Sequence, residues 1–260
     1  MVNRDVLEYF GFKFGMSGGH SSRTMMLAEL EALLTAVPCE PTQANYAEQI
    51  VELNLLSKPT VKARQLTLRH LIDLYSLDPE VPLFRIFWKL WDADIDAHPV
   101  LALTLSLARD PILSLSRDFI LDLPVGQSIT RANTEELLRQ VTGDRLSAAS
   151  LKSYAQNING SWTQAGYLSG RVKKHRKQPR ITAANITFCL FLAYLEGATG
   201  ERLFSSKWVR LLGESEDRLY ELAQIAALRG LLVFRRTGGV TEVRFPDYLT
   251  QDELEKLAYE

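Results

Sequence analysis

Between positions 171 and 180 the chain reads RVKKHRKQPR, so Arg171, Lys173, Lys174, Arg176, Lys177 and Arg180 stand close together with His175 among them. Six fixed positive charges in ten residues suit an anion-binding surface. Bound to a nucleic-acid backbone they would release counterions, and affinity would fall steeply with salt. A solvated loop and a docking face for an acidic partner protein are the other readings of such a run. Upstream, Leu151, Tyr154, Ile158, Trp162 and Ala165 recur every three or four residues, the spacing of a helix with one apolar face. Its other face then carries Ser150, Lys152, Ser153, Gln156, Asn157 and Ser161. Short polar side chains on an exposed helix read base edges or hold phosphates. They also make an ordinary polar helix surface.

The charge distribution sharpens the contrast. The whole chain is near neutral, at −1, yet residues 131–180 hold 10 basic and 3 acidic side chains, a net of +7. The flanking segments are acidic, at −5 over residues 1–130 and −3 over residues 181–260. A block of opposite sign marks a candidate surface for anions.

Other chemistry is thinly supplied. Cys39 and Cys189 share no CxxC spacing and read as reduced thiols of a cytoplasmic protein. His20, His70, His98 and His175 lack metal-ligand spacing. Asp92, Asp94 and Asp96 alternate, but the glycine and closing glutamate of a calcium loop are missing, and a solvated acidic turn is expected. Gly15, Gly18 and Gly19 before Ser21, Ser22 and Arg23 suggest a turn with a helix cap; an anion nest is the alternative, with Arg23 holding a phosphate or an acidic neighbour. No local cue assembles a Ser–His–Asp or Cys–His set, although such sets are spatial. No enzyme activity, metal or cofactor is expected. There is no leader pattern, and the apolar stretch ITFCLFLAYL is about half the length of a membrane span.

The elements that must position these residues are mostly helical. Residues 1–15 are rich in aromatics at even positions and predict a short extended arm. Helices are expected over 23–37, 43–56, 61–74, 83–93, 99–108 and 112–121, a bundle occupying residues 1–125. Residues 126–185 then predict a helix containing Thr134 to Val141 with Thr130 or Asn133 as its cap, a longer helix capped by Ser147 and ended by Gly166, and a hairpin from Tyr167 to Ile181. That order is the order of a winged helix-turn-helix. It recurs over residues 186–260, with helices at 206–212 and 216–228, Gly230 in the place of Gly166, and a hairpin turning at Gly238 and Gly239. The fold class expected is therefore mainly α: an N-terminal helical bundle followed by two winged helix-turn-helix-like modules with short β-hairpins. The second module has Arg235, Arg236 and Arg244 on its hairpin, but Glu214, Glu216, Asp217 and Glu221 flank its helix, which fits a structural or protein-binding role better than DNA contact.

Several phrases carry a family resemblance: SGGHSS from Ser17 leading into the Met25–Leu34 helix, IVELNLLSKPTVKAR from Ile50, LRHLIDLYSL from Leu68 followed by Pro82-Leu-Phe, and LSAASLKSYAQNINGSWTQAGYLSG from Leu146. Across about residues 15–245 the chain resembles the BrxA family of BREX bacteriophage-exclusion systems. The resemblance implies a helical, non-enzymatic, DNA-associated accessory protein acting beside a methyltransferase, a phosphatase-like protein and ATPases. It carries over no catalytic residue. The expected function is double-stranded DNA binding positioned mainly by phosphates, through Arg171, Lys173, Lys174, His175, Arg176, Lys177 and Arg180 on the wing and Lys152, Ser153, Gln156 and Asn157 on the helix. A protein-interaction scaffold and an RNA-binding protein are the alternatives.

Overall fold

Asn3 accepts from the Asp5 amide and opens helix α1 (Arg4–Phe10), which ends at Gly11 with φ 112°. A β-carbon at Gly11 would lie 2.6 Å from Val81 Cγ1, so glycine is needed for both conformation and space. The extended arm expected here is thus a helix. Leu7 and Phe10 are its buried pair, three residues apart, while Tyr9 is exposed. The even-numbered aromatics reported no strand.

The computed structural model describes residues 2–15, 18–37 and 42–258, and the chain is mainly helical. Helix α2 (Leu27–Ala36) begins four residues later than expected. Neither Ser21 nor Ser22 caps it: the Met25 amide is bound to Ser161 Oγ at 2.8 Å, and Met26 adopts φ 53°. Helix α3 (Gln43–Ala47) passes into a π-helical turn, Glu48–Glu52. Thr60 caps α4 (Val61–Tyr75) through the Ala63 amide. Pro82 starts α5 (Pro82–Ala93), whose Phe84, Phe87 and Trp91 are buried as the spacing predicted, with Trp88 at the margin. Helix α6 (His98–Arg109) is buried from Val100 onward, and two short helices follow, α7 (Pro111–Ser114) and α8 (Arg117–Leu121).

A three-stranded antiparallel sheet comes next. Strand β1 (Ser128–Ile129) leads into α9 (Arg131–Thr142), where Thr130 is the cap and Asn133 closes the capping box. Helix α10 (Ala148–Gln164) runs into β2 (Leu168–Ser169), and β3 (Lys174–Arg176) returns between β1 and β2. The two-residue β1 was not legible in the sequence. Helix α11 (Ala183–Leu195) is apolar on all sides and accordingly central, packed against α5, α6 and two later helices, α12 (Lys207–Arg210) and α13 (Glu216–Leu228). The hairpin β4 (Val233–Thr237) and β5 (Val240–Arg244) follows, and then α14 (Gln251–Ala258), which had not been expected from the sequence. Buried Glu253 of α14 ties back to Arg85 of α5 at 2.7 Å. One continuous cluster of buried apolar side chains runs from Leu7 to Tyr248. Among the described residues no helix is long and apolar enough to cross a membrane.

Helices α10 and α13 end in the same way. Gly166 has φ 83° and Gly230 has φ 69°. The Gly166 and Tyr167 amides donate to the Thr163 and Trp162 carbonyls, and the Gly230 and Leu231 amides donate to the Ala227 and Ala226 carbonyls. Both are left-handed glycine caps that turn the chain into a hairpin. Substituting Gly166→Ala forces a side chain into that conformation and should lower stability by about 1–2 kcal/mol in denaturant titration.

Candidate nucleic-acid interface

The first hairpin pairs Leu168 with Arg176 and Ser169 with His175, while β1 pairs Ser128 with His175 on the opposite edge. At its tip Gly170 has φ 108°, and a β-carbon there would sit 2.4 Å from the Lys173 carbonyl oxygen. Alternation along β3 sends neighbouring side chains to opposite faces. His175 is exposed, and its Nδ1 lies 3.3 Å from the Gly126 carbonyl. Arg176 turns inward and is only 3% exposed. Its Nε donates to the Ile120 carbonyl at 3.2 Å, its Nη1 donates to the Lys177 carbonyl, and its guanidinium lies 5.2 Å from the Tyr167 ring centre. Arg176 is therefore removed from the nucleic-acid surface on which the sequence had put it; it braces the base of the hairpin.

The rest of the run divides further. Arg180 is exposed but paired with Asp96 at 2.9 Å. Lys174 is half-buried and donates to the Gly170 carbonyl at 3.2 Å, and burial pulls its pKa down. Arg171, Lys173 and Lys177 are exposed and have no carboxylate partner among the described residues. Between Arg171 and Lys173, Val172 is 86% exposed.

Helix α10 starts where the Ser147 hydroxyl accepts from the Ser150 amide. Leu151, Tyr154, Ala155, Ile158 and Trp162 are buried, and Trp162 Nε1 donates to Ser116 Oγ at 2.8 Å. Lys152 and Gln156 are exposed, as the helical spacing predicted. Ser153 and Asn157 are otherwise engaged. Ser153 Oγ donates to the Ser21 carbonyl at 2.6 Å, and Asn157 Nδ2 donates to the His20 carbonyl at 2.9 Å. Both side chains hold the Gly19–Ser21 turn against α10, so neither is free to read a base.

Beneath that turn lies a constellation with no local signal in the sequence. His20 Nδ1 is 2.8 Å from Asp110 Oδ2, and His20 Nε2 is 2.8 Å from Ser161 Oγ. All three side chains are buried. Asp110 also accepts from the amides of His20 and Leu113. Burial alone would raise its pKa, but the His20 charge and these hydrogen bonds hold it below the ordinary 3.8. Ser161 Oγ accepts from the Met25 amide and donates to the Asn157 carbonyl at 3.0 Å. Its third partner is His20 Nε2. The order Asp–His–Ser is that of a hydrolase triad. Here the hydroxyl contacts the Met25 amide, the Asn157 carbonyl and His20, and the three residues line none of three surface cavities among the described residues. Gly18 is the accommodating residue, since a β-carbon there would lie 2.1 Å from Asp110 Oδ1. The Gly-Gly step before His20 was the trace of this contact in the sequence; Asp110 and Ser161 left none.

Elsewhere the candidates separate. Asp94 pairs with Arg229 and Asp96 with Arg180, and no group of three or more His, Cys, Asp or Glu side chains that could hold a metal occurs among the described residues. Cys189 is buried in α11, where burial pushes its thiol up; Cys39 lies outside the described residues. On the second hairpin, Arg236 stacks on Tyr220 at 3.9 Å and Arg244 pairs with Glu242 at 2.9 Å, leaving Arg235 exposed without a carboxylate partner among the described residues. The exposed face of α13 carries Glu216, Asp217 and Glu221.

No family model matches the chain, and neither do any curated protein or any solved structure.

Two outcomes follow for the buried constellation. Ser161→Ala strips partners from the Met25 amide and a His20 nitrogen and should cost about 1–3 kcal/mol of stability in denaturant titration; a serine-directed phosphonate should leave Ser161 of the native protein unlabelled. Because the native pKa of Asp110 is depressed, its stabilising contribution is present above its unfolded pKa, near 3.8, and is lost as the pH falls through the native value. Asp110→Asn should therefore flatten the acid limb of the stability–pH curve.

Proposed function

We propose that this chain is a non-enzymatic protein that binds double-stranded DNA, seated mainly by phosphate contacts. The observation that carries the reading is the hairpin with Arg171 and Lys173 at its tip and Lys177 at its base, three exposed cations without a carboxylate partner among the described residues, following a helix that exposes Lys152 and Gln156. The arrangement α8–β1–α9–α10–β2–β3 with sheet order β1-β3-β2 fits a winged helix-turn-helix, in which the second helix and the wing approach a duplex. Residues 186–260 fit a looser second copy of that plan, with α12, α13 and the β4–β5 hairpin in the corresponding places. The first 125 residues serve as a helical scaffold behind them. The resemblance to the BrxA family supports a role as an accessory factor in phage exclusion, beside a methyltransferase, a phosphatase-like protein and ATPases.

Protein docking is the reading favoured for the second module. Its α13 presents Glu216, Asp217 and Glu221 against one cation, Arg218, which pairs with Glu221 at 2.9 Å; the acidic balance repels a duplex, and Leu228 stands out at 88% exposure.

The test is duplex binding against salt for the native chain and for the variant Arg171→Ser, Lys173→Ser, Lys177→Ser. Arg176 and Lys174 are left in place because both are built into the hairpin. The log–log salt slope should fall by about three units in the variant, with its thermal unfolding unchanged. Equal affinity and slope for the two proteins would move the contact away from the wing, and preference for structured RNA over duplex would replace the DNA reading.

A further inference from the structure

The turn fastened onto α10 is a surface as well as a clasp. Ser21, Ser22 and Arg23 are exposed at its outer side. Ser153 and Asn157 hold the turn from below, and Lys152 and Gln156 emerge one residue earlier on the same helix, about 100° around its axis. The turn therefore flanks the exposed stripe of α10. At Gly160 the approach is so close that a β-carbon would lie 2.8 Å from Thr24 Cγ2.

The charge on this flank is unbalanced. The Arg23 guanidinium donates to the neighbouring Ser22 carbonyl at 3.2 Å and has no carboxylate partner among the described residues. Arg69 projects from α4, exposed and likewise without a carboxylate partner among the described residues. The two belong to one neighbourhood: α4 packs against the Gly19–Ser21 turn, Tyr75 of α4 donates to the Met25 carbonyl, and both arginines act on the buried imidazole of His70, whose pKa is lowered first by burial and then by Arg23 and Arg69. Asp73, the acid that also reaches His70, is bound to Lys13 at 3.3 Å. Two guanidiniums that no carboxylate binds among the described residues, one on a turn pinned to α10 and one on the adjoining helix α4, form a site for phosphate oxygens.

We propose that Arg23 and Arg69 are two further phosphate contacts of the same duplex-binding surface, on the flank of α10 that the Gly18–Thr24 turn covers. This rests on the duplex-binding reading above. The turn supplies position and the two arginines supply charge, so their effect is the same on every DNA sequence.

The experiment compares four proteins by fluorescence anisotropy on a labelled duplex of about 30 base pairs, a length chosen to exceed an about 10-base-pair helical turn several times over. They are the native chain, Arg23→Ser with Arg69→Ser, Arg23→Lys with Arg69→Lys, and the wing variant. Two lost phosphate contacts lower the salt slope by about two units, so the affinity lost between about 50 and about 200 mM salt should be about tenfold smaller than for the native chain. The lysine pair should keep the native slope, and the serine pair should melt like the native chain. A native affinity and slope in the serine pair, while the wing variant is weakened, would overturn the role of Arg23 and Arg69 and leave the duplex-binding reading standing. Absence of duplex binding by the native chain would overturn both.

Discussion

His20, Asp110 and Ser161 join three stretches of chain that are far apart in sequence: the glycine-rich turn, the junction of α6 and α7, and the last turn of α10. A buried carboxylate is unfavourable unless paired and hydrogen-bonded. Here Asp110 has the imidazole, the His20 amide and the Leu113 amide, and Ser161 completes the far side of the ring. Breaking such a pair by removing one partner typically costs about 3–5 kcal/mol, because the remaining charge stays buried. The contact also sets what is around it. It takes the Met25 amide and so delays α2 to Leu27, and it demands glycine at position 18. It lays the turn along Ser153 and Asn157, which decides how much of α10 remains open.

Cations are divided between bracing and exposure, and their identity alone does not say which. Arg109 and Arg176 are both buried and both spend their N–H groups on carbonyls, at Gly11 and Ile72 for one and at Ile120 and Lys177 for the other. Arginine suits this use, since its planar donors satisfy several carbonyls at once while its charge persists. The exposed cations of the first hairpin lack such duties. The second hairpin reuses the backbone plan with a different surface, for its Arg236 and Arg244 answer to Tyr220 and Glu242. Two glycine-capped helices of similar build thus present opposite charge, Lys152 on α10 and Glu216, Asp217 and Glu221 on α13.

What the sequence made legible was local. Caps at Thr60, Thr130 and Ser147, the glycine stops at Gly166 and Gly230, and the aromatic stripe of α5 all act within a few residues. What it hid was long-range. Strand β1 is two residues whose only signal is its partner β3, and the Asp–His–Ser contact spans positions 20 to 161. Charge density marked the hairpin, but density is blind to facing. The period of two that separates Arg235 from Arg236 also turns Arg176 away from His175, and that step had to come from pairing with Leu168. Ser153 and Asn157 were misassigned for the same reason: an exposed helix face is defined by what the rest of the chain lays across it.

The covering turn also bears on how α10 would meet a duplex. A major groove about 12 Å wide admits one helix, and a helix with its side chains is itself about 10–12 Å across. From Ser153 to Ser161, α10 carries the Gly18–Met26 segment on one flank, so helix and turn together are wider than the groove. Only the first turns, from the Ser147 cap to Lys152, are free of that burden. In the duplex-binding reading, α10 would enter by its end and rest its length on the groove rim, where phosphates lie. Contacts there would come from the first hairpin and the covering turn and would carry no base information. A buried histidine contact far from any nucleotide would thereby bias the protein toward binding by charge and shape, with weak preference for sequence.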